Sequence, residues 1–80
     1  MALYSVTTKK DPEHVVEQAI DYLGEEGLGL SLTRENPCCA TFEGGGGHVT
    51  VTASRKEDRT EVELETREWD YQVKQFMGQI

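Results

Sequence analysis

The chain has 80 residues, of which 36% are hydrophobic, so we expect one small domain, residues 1–80, with a single core. Its formal net charge is −7, from 15 acidic and 8 basic residues. Binding to nucleic acids or to anionic membranes depends on clustered Lys and Arg, so this charge argues against both partners and leaves a protein partner allowed. The apolar runs are too short to span a membrane.

The chain begins with a predicted strand followed by a predicted helix. Ala2–Thr8 alternates and contains β-branched residues, which is typical of a strand. Asp11 suits the N-cap, proline suits the first helical position, and Gly27 is a stop signal, which predicts a helix over Pro12–Glu26. The apolar stripe of this helix comprises Val16, Ala19, Ile20 and Leu23.

Four strands with short turns are predicted next, over residues 28–33, 38–43, 48–54 and 60–66. The segments "RENP" and "RKEDR" are predicted turns. Each strand has one apolar face formed by alternate residues. In chain order these faces are Leu28, Leu30 and Leu32; Cys38, Ala40 and Phe42; Val49, Val51 and Ala53; and Val62 with Leu64.

The segment "TFEGGGGHVTVTAS" contains four consecutive glycines between two of these strands. If Gly45–Gly46 is a two-residue hairpin turn, every apolar residue of one strand faces an apolar residue of the other. A phosphate-binding loop is disfavoured, because it needs a lysine and a following helix. A third interpretation is that glycine allows close approach of a helix end, a partner backbone or a ligand, since two glycines are enough for the turn.

A second helix is predicted over Arg67–Gly78, with Thr66 as its N-cap. Its apolar stripe comprises Trp69, Val73, Phe76 and Ile80, with Met77 beside it. Two helices with one apolar stripe each bury those stripes on one face of the sheet, because the other face is polar. The prediction is an α+β two-layer sandwich, β-α-β-β-β-β-α, with antiparallel strand order 1-5-4-3-2. The alternative places strand 1 parallel to strand 2.

This element order resembles the half-repeat of the TATA-box-binding protein fold. It also resembles a shortened helix-grip domain, the fold of the START and Bet v 1 lipid-binding proteins. The resemblance covers the order of elements over nearly the whole chain and carries no sequence motif, so it implies a fold and no functional residues.

Cys38 and Cys39 are neighbours, and neighbouring cysteines are poorly placed to bond each other, which predicts reduced thiols and a cytoplasmic protein. The segment "MALYSVTTKKDPEH" also lacks the pattern of a signal peptide. We expect Cys38 in the core and Cys39 as a partly exposed thiol.

The expected distance between Cys39 and His48 argues against a catalytic Cys–His dyad. Cys39 is expected to face Thr52, four residues from His48, which is roughly 13 Å along a strand, whereas a nucleophile and its base need about 3 Å. Metal binding by both cysteines and His48 also fails, because the cysteines are expected on opposite faces. His14 is expected to be solvated. The sequence therefore predicts no catalytic, cofactor-binding or metal-binding residues.

The polar face of the sheet is the candidate interaction surface, and the residues predicted to form it are Thr41, Glu43, His48, Thr50, Thr52, Glu63 and Glu65. Glu43 and His48 are expected to form an exposed cross-strand pair. The row Glu61, Glu63 and Glu65 is interpreted as a solvated strand face rather than an acid–base pair.

Three functional hypotheses follow. The first is a non-enzymatic interaction module that dimerises through its sheet, motivated by the polar face and by segment 28–33 as an edge strand without charge. The second is a site for a small apolar ligand between helices and sheet, because Phe42, Trp69, Phe76 and Met77 converge there. The third, ranked last, is an enzyme.

Overall fold

A computed structural model describes residues 2–80 and contains seven elements in the predicted order. Five strands form one antiparallel sheet with the order β1-β5-β4-β3-β2, which confirms the predicted fold class and shows that the alternative with parallel strands 1 and 2 is wrong. The predicted domain, residues 1–80, includes Met1, which lies outside the described residues. The elements are β1 (Ala2–Thr8), α1 (Pro12–Leu23), β2 (Ser31–Asn36), β3 (Cys39–Gly44), β4 (Gly47–Lys56), β5 (Arg59–Arg67) and α2 (Asp70–Met77).

Both helices pack on one face of the sheet and enclose the core there. Helix α1 contacts β3, β4 and β5, and helix α2 contacts β5. Burial of each large apolar side chain contributes about 1.5–3 kcal/mol to folding. The fully buried large side chains include Leu23, Leu30, Phe42, Val49, Val51, Val62, Leu64, Val73 and Phe76.

Helix α1 begins at Pro12 as predicted but ends at Leu23, three residues before the predicted Glu26. Gly24 is the C-cap, and its N–H donates a hydrogen bond to the Ile20 carbonyl at 2.9 Å. The following residues form turns, because the Leu28 N–H donates back to the Tyr22 carbonyl at 3.0 Å. The predicted stop at Gly27 is therefore wrong by one helical turn.

Strand β2 begins later than predicted. The turns after α1 keep Leu28 out of the strand, so Leu28, Leu30 and Leu32 do not form one buried face: Leu30 is 2% exposed, whereas Leu28 and Leu32 are 38% and 36% exposed. The predicted "RENP" turn is also wrong, since Arg34, Glu35 and Asn36 belong to β2 and the turn lies at residues 37–38. The pairing of β2 with β3 shifts between Leu32 and Arg34.

Cys38 and Cys39 form a disulfide, so the prediction of two reduced thiols is wrong. Cys38 is also exposed rather than part of the core. Strand β3 begins at Cys39, so the alternation of a strand does not extend to Cys38, and the turn allows the two sulfur atoms to meet.

Helix α2 covers Asp70–Met77, which is shorter at its start than the predicted Arg67–Gly78. Thr66 is not its N-cap. It lies in β5, is 0% exposed, and donates its hydroxyl hydrogen to the His48 carbonyl at 3.0 Å. Glu68, with φ of 77°, ends the strand and turns the chain toward the helix. Neither helix in residues 2–80 is long and apolar enough to cross a membrane.

Tyr4 joins the edge strand β1 to helix α2. Its hydroxyl donates a hydrogen bond of 2.7 Å to Asp70 Oδ2, in the first turn of the helix. The Lys74 ammonium lies 5.3 Å from the centre of the Tyr4 ring, within the range of a cation–π interaction. These contacts hold β1 in place beside the helical layer.

We expect Tyr4→Phe to weaken the loss of stability at alkaline pH. The hydrogen bond to Asp70, then desolvation and the charge of Asp70, raise the pKa of Tyr4 above its ordinary value. A raised folded-state pKa gives stability that is present below the pKa of the unfolded chain and lost as pH rises through the folded value. Urea unfolding at several pH values around the ordinary tyrosine pKa of about 10 measures the effect.

Tyr71→Phe is the matched control for that comparison, because Tyr71 is 70% exposed. Its unfolding free energy should follow the parent chain at every pH. An alkaline loss in Tyr4→Phe as steep as that of the parent would contradict the expected role of Tyr4.

We also expect Glu57→Gly to raise the free energy of unfolding by about 0.5–1 kcal/mol. Glu57 has φ of 54°, a left-handed conformation that disfavours any side chain with a Cβ. Chemical denaturation measures the gain. Asp58→Gly, in the same turn but without a positive φ, is the control and should give no gain; equal gains in both variants would contradict the assignment.

Candidate functional site

The seven residues of the candidate interaction surface lie on the face of the sheet that points away from the helices. They come from three adjacent strands, and the observed pairs Thr41–Thr50, Glu43–His48, Thr50–Glu65 and Thr52–Glu63 bring them together. The Thr41 and Thr50 hydroxyl oxygens are 3.4 Å apart. The alternation of β3, β4 and β5 places these residues as the sequence predicts.

His48 faces Glu43 in the register, but its ring contacts Glu65. The His48 Nε2 atom is 3.4 Å from Glu65 Oε1, and the two side chains are 26% and 47% exposed. Exposed pairs of this kind contribute about 0–1 kcal/mol. The predicted cross-strand pairing of Glu43 with His48 is confirmed in the register. The side chain of His48 nevertheless makes its contact diagonally, with Glu65.

Cys39 faces Thr52, as predicted, and lies four strand positions from the partner of His48. It is bonded to Cys38, so it offers no free nucleophile. Within residues 2–80, no group of three or more His, Cys, Asp and Glu side chains is placed to hold a metal ion.

The row Glu61, Glu63 and Glu65 lies on β5, between β1 and the central strand β4, on the face of the sheet that points away from the helices, here called the open face. On β1 its partners are the uncharged Thr7, Ser5 and Leu3, and on β4 they are Ser54, Thr52 and Thr50. Of these three glutamates, Glu65 has an ion-pair partner in the described part of the chain. The row is thus a line of acceptors, with Glu61 half-buried and Glu63 and Glu65 exposed, and it is bordered mainly by hydroxyl groups.

The glycine segment forms the tip of the β3–β4 hairpin, as the register argument predicts. Gly44 pairs with Gly47, and Gly45 and Gly46 have φ of 58° and 81°. Two positive φ values are the requirement of the favoured type I′ turn. The pairing predicted from Gly44 back to Cys39 is confirmed; beyond it, the Ala53 N–H still donates to the Cys38 carbonyl at 2.8 Å.

Close approach explains the two additional glycines. The Trp69 Nε1–H group donates a hydrogen bond of 2.9 Å to the Gly44 carbonyl. A Cβ at Gly44 would lie 2.8 Å from a Leu30 methyl carbon, and a Cβ at Gly47 would overlap the Arg67 carbonyl. The third interpretation of the glycines, close approach within the sheet, therefore applies to Gly44 and Gly47, and the approaching groups belong to the chain itself.

The two edges of the sheet differ in how well they are protected. Strand β1 pairs with β5 over seven residues without a shift in register, contains no charged residue, and exposes 66% of Leu3. Strand β2 has the irregularity between Leu32 and Arg34 and carries charges at Arg34 and Glu35. The sequence prediction of an unprotected edge at residues 28–33 is wrong, although the strand order and the uncharged "ALYSVTT" already contained the signal for β1.

Comparison with known proteins gives no match to any family model, curated protein or solved structure.

We expect Gly47→Ala to lower the free energy of unfolding by about 1–3 kcal/mol, because a Cβ there forces the hairpin tip away from the Arg67 carbonyl. The control is Gly78→Ala: Gly78 has φ of −71°, and a Cβ there would lie no closer than 3.5 Å to the Gln75 carbonyl. Urea unfolding followed by Trp69 fluorescence measures both. Equal losses in the two variants would contradict the close approach at Gly47.

Proposed function

We propose that the protein is a small non-enzymatic interaction module that forms a homodimer through the free edge of β1. The observation that carries this proposal is the unprotected state of that edge. A seven-residue strand with regular pairing on one side and no charge, proline or bulge presents backbone N–H and C=O groups to another strand. Strand β2, at the opposite edge, lacks this regularity.

A second copy of the chain fits this edge because β1 is self-complementary. A two-fold axis at Ser5, the middle of the strand, pairs all seven residues in antiparallel fashion. Leu3 then faces Thr7 of the partner strand and Tyr4 faces Val6, so no like charges meet. Since Asp70 already holds Tyr4, little further ordering is needed for the contact.

The open face supports a second contact in the same module. The acidic row Glu61, Glu63 and Glu65 and the hydroxyl groups beside it favour a protein partner with a basic surface. The same charges disfavour nucleic acids and anionic membranes, so the resemblance to the TATA-box-binding protein fold extends to the order of elements and not to DNA binding. We also propose that the protein is located in the cytoplasm.

The apolar-ligand hypothesis has less support. Phe42 and Phe76 are 0% exposed and belong to the packed core, and Trp69 packs against the same core and bonds to Gly44. These side chains fill the space between helices and sheet where a ligand would bind.

Sedimentation equilibrium of Ser5→Lys tests the dimer. The two-fold axis places residue 5 of each copy opposite residue 5 of the other, so two lysines repel, and the variant should be a monomer where the parent chain is a dimer. The fold should be unaffected, because Ser5 is exposed and lies opposite Glu63 within its own sheet.

Three further measurements make that result specific. Ser5→Glu should also be a monomer, and an equimolar mixture of Ser5→Lys and Ser5→Glu should form a heterodimer, because opposite charges then face each other. Thr33→Lys, on the other edge strand, should leave the dimer intact. A parent chain that remains monomeric at high concentration, or loss of the dimer in Thr33→Lys alone, would refute the β1 interface.

A further inference from the structure

The disulfide between Cys38 and Cys39 lies at the turn between β2 and β3, on the side of the sheet remote from the β1 edge. A disulfide stabilises a fold mainly by joining residues that are far apart in the unfolded chain, and the effect grows with the length of the closed loop. Neighbouring residues close no such loop. This bond therefore contributes almost nothing as a structural cross-link.

The turn is held by contacts that do not need the disulfide. The Ala53 N–H donates to the Cys38 carbonyl at 2.8 Å, and the Cys38 N–H donates to Asn36 Oδ1 at 3.3 Å. Asn36 Oδ1 is also 3.1 Å from Cys38 Sγ, so it can accept a hydrogen bond from that sulfur once the sulfur carries a proton. The hydrogen bonds around Cys38 are thus compatible with the reduced thiols as well as with the disulfide.

The bond is open to small molecules from one side. Cys38 is exposed and Cys39 is half-buried. Cys38 lines an open depression of about 640 Å³ between the turn and the first turns of helix α1. Its other lining residues are Asp11, Pro12, Glu13, His14, Glu17, Pro37 and Ala53.

Carboxylates dominate the charge of this depression. Asp11, Glu13 and Glu17 line it, without a lysine or arginine among the lining residues. Asp11 is paired with Arg55 at 3.1 Å, so among the residues that line the depression Glu13 and Glu17 are the carboxylates without an ion-pair partner. A field of this sign attracts cationic molecules and repels anionic ones.

We infer that Cys38–Cys39 is a thiol–disulfide exchange site that accepts small neutral or cationic thiols in preference to anionic ones, and that Cys38 carries the sulfur that is attacked. The inference goes beyond the proposed dimer and does not depend on it. Exposed disulfides without a structural role are the ones that exchange readily, and access selects which sulfur reacts.

Complete reduction of the Cys38–Cys39 disulfide consumes two molecules of the small thiol. A thiolate bonds to Cys38 Sγ, the Cys38–Cys39 bond breaks, and Cys39 leaves as a thiolate that takes up a proton. A second thiolate then attacks the small-thiol sulfur of the mixed disulfide, and the Cys38 thiolate leaves and is protonated. The protein gains two electrons and two protons, and the two small thiols become one small disulfide.

Reduction by cysteamine, which is cationic, and by thioglycolate, which is anionic, tests the charge preference. Rates per thiolate at low ionic strength are followed by maleimide labelling and mass spectrometry. We expect cysteamine to react on the order of tenfold faster, and the ratio to shrink in about 1 M NaCl. The reduced chain should keep its far-ultraviolet circular dichroism, since the turn does not need the bond.

Charge variants separate the local field from the net charge. Glu13→Gln with Glu17→Gln should lower the ratio of the two rates. Glu25→Gln with Glu26→Gln makes the same change in net charge just beyond the other end of helix α1, outside the depression, and should leave the ratio unchanged. An equal change in both double variants, an unchanged ratio in the first, or unfolding on reduction would overturn the inference.

Single-cysteine variants test which sulfur reacts. Cys39→Ser treated with cystamine, the disulfide of cysteamine, should form a stable mixed disulfide at Cys38. Cys38→Ser should react more slowly through the half-buried Cys39. Faster reaction at Cys39 would contradict the assignment of Cys38.

Discussion

The register of β3 against β4 is the constraint on which the rest of the structure depends. Phe42 pairs with Val49 and Ala40 with Val51, and a slip of β3 by one residue would turn Phe42 and Ala40 from the core to the open face. The turn at Gly45–Gly46 sets this register. Strand β5 is then aligned by its pairing with β4, and β1 by its pairing with β5. The core, the composition of the open face and the identity of both edges follow from it.

The alternation of apolar and polar residues predicted β3, β4 and β5 well, because one face of each strand is buried and successive side chains point to opposite faces. The errors lie where local hydrogen bonds override the pattern. Leu28 has the spacing of a strand residue, but its N–H bonds to the Tyr22 carbonyl and keeps it in a turn. Thr66 resembles an N-cap, yet it lies opposite Val49 and Ala2 in the sheet, so the strand continues through it.

The candidate surface was predictable because its residues occupy alternate positions on neighbouring strands. The surroundings of the disulfide at the β2–β3 turn were not predictable in this way. His14 and Cys38 line one depression because helix α1 starts over the end of the sheet beside the β2–β3 turn, and no spacing in the sequence encodes that placement. The two additional glycines were also unexplained until Leu30 and the Arg67 carbonyl proved to be the groups that approach them.

The irregularity between Leu32 and Arg34 also limits the size of any assembly. A sheet whose two edges both accept strands can add copies end to end without limit and grow into a fibre. A sheet with one receptive edge can add a single neighbour, after which no receptive edge remains. In the proposed dimer, the two β2 strands with their displaced pairing would form the outer edges, so that edge-to-edge growth would stop at two chains.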